Sequence, residues 1–359
     1  MTEALIRVSA RDERDVITAA LIRHGALAEP AVLQAQWLVE ADLRGQSSHG
    51  IARLPILVGR IRAGLLAPNS EPLMNWRTDS VLAVDGARGF GPVVATKALT
   101  LSHERARDTG IVLVVISNAN HLGILAPYVE GAAAQGLVAL ACTTSEALVH
   151  PWGGCRAMVG TNPLAVAVPA QPAPFVLDMA TGQVSMGKII HYDESGLALE
   201  PGWAVDSEGR PTTDAHAARE GAITPFGGAK GFALGLAIEV LVGSLTDSAL
   251  GRKVQGTLDD TSVCNKGDVF IVIDPGPVTE GSRSALISRY LDDVRCTPVP
   301  PGGEDVRIPG DRAAHHKARR TSEGIELSSR SWSTALTLAG APPGSTSVSA
   351  RDVRPDPEA

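Results

Sequence analysis

The sequence predicts an α/β domain flanked by helical segments from both chain ends, and three observations lead there. Helical periodicity dominates the first 70 residues. Glu29-Pro30 opens a helix through Leu33, Trp37 and Val39 that stops near Gly45, and Ile51, Leu54, Leu57, Val58 and Ile61 recur at helical spacing until Gly64 interrupts. From Ser80 onward, short apolar runs alternate with helical ones. No G-x-G-x-x-G stands between a strand and a helix; Gly86-Ala87-Arg88-Gly89-Phe90-Gly91 comes nearest, with the wrong spacing, so the standard dinucleotide fingerprint is absent.

Taken in order, Val81–Val84 reads as a short strand, and Pro92–Asp108 as a helix stopped by Gly110. Ile111–Ile116 is continuously apolar, as expected of a strand covered on both faces. Gly123–Gln135 reads as a helix ended by Gly136, and Leu137–Ala141 as a buried strand. Short strands follow at Leu164–Val168 and Phe175–Leu177, then a long helix at Phe232–Leu245 and a last strand at Val269–Ile273. The expected organisation is a helical segment over 1–75, an α/β domain over 76–280, a C-terminal helical segment over 281–340 packing on the first, and a disordered tail over 341–359. There is no internal repeat.

Composition narrows the function classes. Hydrophobic residues make up 44% and charged residues 20% of 359, an ordinary globular balance. A formal charge of −7 leaves no basic excess for nucleic acid or an anionic membrane, so a small anion would need local cations. Cys142, Cys155, Cys264 and Cys296 are scattered, without C-x-x-C or zinc-finger rhythm, as in a reducing compartment. The start of the chain carries early acids rather than a signal-type apolar run, and no uninterrupted apolar stretch is long enough for a bilayer. A cytoplasmic location is the expectation. His49, His121 and His150 are too scattered to suggest a metal site, and neither a G-x-S-x-G elbow nor H-E-x-x-H is present.

Ser48-His49-Gly50-Ile51-Ala52-Arg53 packs a hydroxyl, an imidazole and a guanidinium into six residues between two helical patterns. If a helix begins near His49, Arg53 lies one turn along the same side. The imidazole can then exchange an alcohol proton while the guanidinium grips a carboxylate, with Ser48 orienting the ring, a pairing suited to a 2-oxo or 2-hydroxy acid. A helix cap with a solvated arginine is the plainer alternative. Asn118-Ala119-Asn120-His121-Leu122-Gly123 follows a strand, where α/β proteins place ligand contacts; His121 is a second acid/base candidate, a donor to a carboxamide, or a helix-start residue bonded to local backbone. Thr161 and Asn162 either cap a turn or offer donors at a strand entrance, and Asp178 either accepts from ribose hydroxyls or closes a turn. Pro225-Phe226-Gly227-Gly228-Ala229-Lys230-Gly231 leads into a helix. A lysine there opposes the helix dipole unless an anion is present, and glycines let a phosphate approach the backbone; a simple helix start is the alternative.

Together these pieces resemble the type-2 malate/L-lactate dehydrogenase family, the sulfolactate-dehydrogenase-like oxidoreductases. The matching segments are ADLRGQSSHGIARL (41–54), SNANHLG (117–123), GTNPLAVAVP (160–169), LDMATG (177–182), PGWAVDSEGRPTTD (201–214), PFGGAKGFALGLAIEVL (225–241) and RIPGDR (307–312), reaching across the chain to about residue 340. The resemblance implies a non-Rossmann mixed-sheet domain binding NAD or NADP, a homodimer, and interconversion of a small anionic 2-oxo acid and its 2-hydroxy acid. By the same resemblance His49 is the acid/base with Ser48 in relay behind it, and Arg53 and Thr161 face the substrate. His121, Leu122 and Gly123 line the nicotinamide side. Asp178, Met179, Ala180, Thr181, Lys230, Gly231, Pro309, Gly310 and Asp311 are the further cofactor contacts. One departure bears on substrate: the family's imino-acid reductases carry an aspartate in the proton relay where this chain has Lys188. Reduction of cyclic imino acids (piperideine- or pyrroline-2-carboxylate) is therefore the alternative activity. A catalytically silent binding protein on the same fold is the alternative of another class, with a metal-dependent lyase disfavoured by the lack of a carboxylate–histidine cluster.

Overall fold

The computed structural model describes residues 5–278 and 283–342. The chain opens with a short strand, β1 (Leu5–Val8), and two antiparallel helices, α1 (Ala10–Arg23) and α2 (Ala28–Leu43). Ser9 caps α1 by accepting the Asp12 N–H at 3.0 Å. Two 3₁₀ turns, Ser47–His49 and Ile51–Arg53, lead into α3 (Leu54–Arg62).

The central layer is a seven-stranded mixed sheet ordered β2-β3-β4-β11-β5-β6-β7. Its first half comprises β2 (Leu73–Thr78), β3 (Val81–Asp85), α4 (Gly91–Thr109), β4 (Ile111–Ser117), α5 (Ala126–Ala133) and β5 (Val138–Thr143). Then come β6 (Leu164–Val168), β7 (Phe175–Met179) and α6 (Met186–Ser195). A small layer follows with β8 (Ala204–Val205), β9 (Pro211–Thr212), α7 (Ala215–Glu220) and β10 (Ala222–Ile223). The long helix α8 (Ala229–Thr246) and the central strand β11 (Asp268–Ile273) complete the sheet layer, and α9 (Ser284–Arg295), α10 (Asp311–Glu323), β12 (Ile325–Ser328) and α11 (Ser329–Leu338) close the described chain. Only β3 and β4 pair in parallel, across the α4 crossover; every other pairing in this sheet is antiparallel. Gly110, at φ 79°, terminates α4 in the left-handed conformation that glycine adopts without strain.

One face of the sheet buries Val112, Val114 and Ile116 with apolar side chains of α4 and α5. A second cluster joins the two chain ends: Val16, Ile17 and Leu21 of α1 pack with Leu54, Leu57, Trp332 and Leu336. The expected tail over 341–359 lies outside the described residues from 343 on.

Several expectations are corrected. Residues 1–70 are not wholly helical, because β1 pairs antiparallel with β12, from Leu5↔Ser328 to Val8↔Ile325, and ties the chain's two ends together. Four-residue strands are too short to show a period. β2 is an edge strand in which only Met74 and Trp76 pack inward while Leu73 is exposed, so its apolar alternation is too short to mark a strand in the sequence. The helix expected from Gly123 starts three residues later, since Gly123 itself sits at φ 80°. β4 is covered on both faces but unequally: it alternates between buried and partly exposed residues, because among the described residues its second face is covered by the single helix α8. That helix is also long and apolar enough, by length and composition only, to cross a membrane, although Lys230 and Glu239 interrupt its apolar run; Leu236, Val240, Leu241 and Leu245 on it are exposed.

Candidate active site

The segment predicted to begin a helix at His49 folds instead as two 3₁₀ turns, and a buried carboxylate holds them. Asp42, at the end of α2, accepts the Ile51 N–H at 2.6 Å. A Cβ on Gly50 would overlap the Asp42 carboxylate, so glycine is required where the turn passes this close. Burial raises the Asp42 carboxyl to about 6, and burial together with Asp42 raises its neighbour Glu13 of α1 well above the ordinary carboxylate range. Arg320 of α10 donates to the Asp42 carbonyl, so both chain ends support this turn.

The turn brings His49 against His121, with ring centroids 5.3 Å apart and planes inclined by 30°. His49 Nδ1 lies 3.0 Å from Ser48 Oγ, which leaves Nε2 free of that contact. His121 Nδ1 accepts the Gly123 N–H at 3.1 Å, so its neutral ring carries the proton on Nε2. Burial and the Arg53 charge lower His49 to about 4. Burial, Arg53, His49 and Lys266 hold His121 well below the ordinary imidazole range. Both rings are therefore neutral near pH 7. Behind Ser48 stands Gly187 of α6, where a Cβ would meet the Ser48 Cβ. Lys188 turns away onto aromatic faces, with Nζ 4.4 Å from the Trp203 ring centroid and 5.6 Å from that of Tyr192.

Arg53 donates through Nη2 to the Thr257 carbonyl, while its buried Nε has no acceptor among the described residues. Glu146 organises that loop by accepting from Thr257 N at 2.6 Å, Leu258 N at 3.0 Å and the Thr257 hydroxyl. A second cation near the rings, Lys266, is 2% exposed and pairs with buried Asp268, which also accepts from Thr143 Oγ1 at 2.5 Å. An acidic protein thus concentrates positive charge around two imidazoles.

The remaining sequence-derived residues form a connected strip. Thr161 N donates to Ser145 Oγ at 3.0 Å, and the Thr161 carbonyl accepts both the N–H and the hydroxyl of Thr181, at 2.7 and 2.9 Å. Thr181 in turn accepts the Phe226 N–H and lies against Gly235, which joins the strip to the start of α8. Asn162 is fully buried, donating to the Gly235 carbonyl at 3.0 Å and to Glu239 at 2.8 Å, so its work is structural. No side chain caps α8, whose first turn carries exposed Lys230; a Cβ on Gly231 would overlap the Phe226 carbonyl.

Asp178 closes no local turn and is bound internally. It accepts the Leu125 and Ala126 N–H groups at 2.9 and 2.8 Å and anchors the start of α5, so the ribose role expected of its carboxylate has this competitor. Met179 ends β7 and Ala180 follows it. The carboxylate of Asp311 is likewise engaged, by the Arg295 guanidinium at 2.9 and 3.1 Å and the Ile308 N–H at 3.1 Å. Gly310, at φ 95°, packs on the Val176 carbonyl, bringing the Pro309–Asp311 loop to β7 although more than 130 residues separate them in the sequence, as their numbers show. Leu122 is buried beneath the site, and its carbonyl accepts from Tyr128 Oη at 2.7 Å.

Sequence reasoning passed over Asp42, Arg60, Asn120, Glu146 and Lys266. Asn120 lay inside a motif already singled out, and Lys266 with Asp268 stands directly before an apolar strand, a placement that buries both. Glu146 and Arg60 left no local signal. Among the described residues no cluster of histidine, cysteine and carboxylate side chains could hold a metal.

Comparison with known proteins places the chain among dehydrogenases and reductases. The family profile described as malate/L-lactate dehydrogenase matches residues 8–335. A malate/(S)-sulfolactate dehydrogenase of Methanothermus fervidus is 37% identical over 323 residues, covering 89% of this chain and 93% of that protein. A Δ¹-pyrroline-2-carboxylate reductase of Burkholderia ambifaria is 31% identical, covering 94% of this chain and 99% of that protein. The crystal structure of a dehydrogenase from Sinorhizobium meliloti superposes with a TM-score of 0.90 at 47% identity, covering 94% and 99% of the two chains.

Proposed function

The chain belongs to the malate/L-lactate dehydrogenase family, and from that premise we propose that it interconverts a 2-hydroxy acid of the malate, lactate or sulfolactate type and the corresponding 2-oxo acid, using NAD or NADP. The observation that carries this reading is the stacked His49–His121 pair, backed by Ser48 and set beside the Arg53 guanidinium.

In this reading Arg53 binds the substrate carboxylate through its planar fork, and Thr161 supplies a neighbouring donor. His49, neutral at working pH, accepts the hydroxyl proton at Nε2 during oxidation and returns it to the substrate oxygen during reduction. Ser48 fixes the ring, and the Nε2–H of His121 is a second donor on the same side. The start of α8 fits a dinucleotide: it has no side-chain cap and carries exposed Lys230, and Gly228 and Gly231 let its turn pack tightly on Trp152 and the Phe226 carbonyl. Leu122, Gly123, the 178–181 segment, Lys230, Gly231 and the 309–311 loop would hold the cofactor. When bound it exchanges a hydride with the substrate C2.

Lys188 favours a hydroxy acid over a cyclic imino acid. It places no carboxylate behind Ser48, and its ammonium is held on Trp203 and Tyr192. The exposed leucines of α8, a helix packed on β4, β5 and β11 along one side, support a homodimer over a membrane segment. The deciding experiment is a panel of 2-oxo acids and pyrroline-2-carboxylate assayed with NADH and with NADPH by nicotinamide absorbance. Turnover of oxo acids above the imine supports the proposal, and the reverse order refutes it.

A further inference from the structure

Arg60 lies two helical turns beyond Arg53 on α3, and only 2% of it is exposed. Its Nε donates to Asn120 Oδ1 at 2.9 Å, and its Nη1 donates to the carbonyls of Asp259 at 2.7 Å and Ser262 at 3.0 Å. One end of this fork holds the segment that carries His121. Asn120 is its relay, because its Nδ2 donates to the carbonyls of Arg88 at 2.7 Å and Gly89 at 3.2 Å, while Arg88 N reaches back to the Asn118 carbonyl at 2.8 Å. Gly86 and Gly91 are bare because Ala119 and the backbone of residues 120 and 121 press on them. The glycine-rich turn that fails as a dinucleotide fingerprint is thus a clasp on the His121 loop.

The other end of the fork holds the loop that seats Arg53. Thr257 accepts from Arg53, and Asp259 folds the same loop by accepting from Gly256 N at 3.1 Å, Thr261 N at 2.8 Å and Ser262 N at 2.6 Å. Gly59 leaves room for Asp260 against the helix. We infer that Arg60 is a positioning residue: by tying the His121 loop and the Arg53-seating loop to one helix, it sets the spacing between the proton-exchanging imidazoles and the carboxylate-binding guanidinium. A buried guanidinium suits this task because its planar fork reaches both loops at once, which a lysine ammonium on a single flexible stem cannot do in fixed geometry.

The inference rests on the proposed function, and its test separates the two. Arg60→Lys and Asn120→Ser cut the link from either end, singly and together, the serine being the gentler change should the lysine variant fold poorly. With a 2-oxo acid turned over by the wild type, kcat per folded enzyme falls about 10- to 100-fold in each variant, because small misplacements near the reacting atoms carry such penalties. Discrimination between the acid and its methyl ester shrinks, and the NAD(P)H dissociation constant rises far less than kcat falls, since Arg60 reaches the proposed cofactor contacts only through the 118–123 loop and leaves the 178–181, 230–231 and 309–311 segments untouched. The double variant is no worse than the worse single one, as for two ends of one interaction. Amide exchange rises about tenfold in both 118–123 and 256–263 while the β1–β12 pair is unchanged. A folded variant with normal kcat and normal acid preference overturns the inference. Should the wild type turn over no 2-oxo acid, the functional proposal fails and exchange alone decides: loosening of both loops upholds the link, and loosening of one or neither refutes it.

Discussion

Replacing Arg53 with lysine isolates the fork from the charge. The guanidinium donates through Nη2 to Thr257, and its buried Nε lacks an acceptor among the described residues. A carboxylate arriving at this group satisfies a donor that otherwise bears its desolvation cost, so the pair belongs at the strong end of hydrogen bonds to charged groups, roughly 1.5–3 kcal/mol. At 1.36 kcal/mol per decade that is about a 10- to 150-fold loss in kcat/KM. Lysine keeps the charge, but offers neither two parallel donors nor the Thr257 anchor in the same plane. Arg53→Lys is therefore expected to fall nearly as far as Arg53→Ala, with NAD(P)H binding largely spared. The assay compares initial rates for a 2-oxo acid and its methyl ester. Wild type strongly prefers the acid, and both variants lose most of that preference. If they discriminate acid from ester as wild type does, the carboxylate is held elsewhere and the reasoning fails.

Further outcomes follow from the same geometry. His49→Ala lowers turnover by about 10²–10⁴-fold with cofactor affinity little changed, as expected on removing a general acid/base; near-normal turnover would transfer the role to His121. Lys230→Ala weakens NAD(P)H binding without loss of thermal stability, because the cation opposes the empty helix's dipole; an unchanged dissociation constant refutes the phosphate role. Gly50→Ala forces a methyl into the Asp42 carboxylate and breaks its bond to Ile51, with an expected cost of about 2–4 kcal/mol in denaturant unfolding. His49 takes its proton at about 4 when folded and near 6.5 when unfolded, so between these values the unfolded chain binds more protons. Its stabilising contribution is full above about pH 6.5 and fades as pH falls toward 4. The wild-type stability curve minus that of His49→Gln should show that slope, and a flat difference would refute it.

The parts of the fold that were legible in the sequence were those written in local pattern. α4 announced itself through Pro92 and Gly110, and β5, β6 and β11 through short apolar runs between breakers. β1, β12 and β2 were not legible, because four-residue and edge strands acquire their identity from partners far along the chain. At the site, Ser48, His49, His121 and Arg53 stood out because their chemistry is rare at such spacing. Arg60 and Glu146 did not, since nothing local marks an arginine that reaches 199 residues away to Asp259 or a glutamate that holds residue 257, 111 positions on. Asp178 carries a task the sequence did not show: its carboxylate accepts from two N–H groups at the start of a helix more than 50 residues before it.

The distribution of charge then ties substrate to protonation. A chain of net charge −7 gathers Arg53, Arg60 and Lys266 around His49 and His121, while the nearby acids Glu146 and Asp268 are committed to Thr257 and Lys266. The resulting positive field attracts a small anion, and burial together with that field keeps both imidazoles neutral, the form a base must have to take a hydroxyl proton. On the proposed reading, a substrate carboxylate seated on Arg53 cancels the Coulomb part of that field, so the His49 pKa rises when the acid is bound. The imidazole is then better able to keep the proton it removes during oxidation and to carry one in for reduction. An ester binds without that cancellation. The acid requirement therefore belongs to proton transfer as well as to affinity, and the acid-to-ester ratio should be larger in kcat/KM than in binding alone.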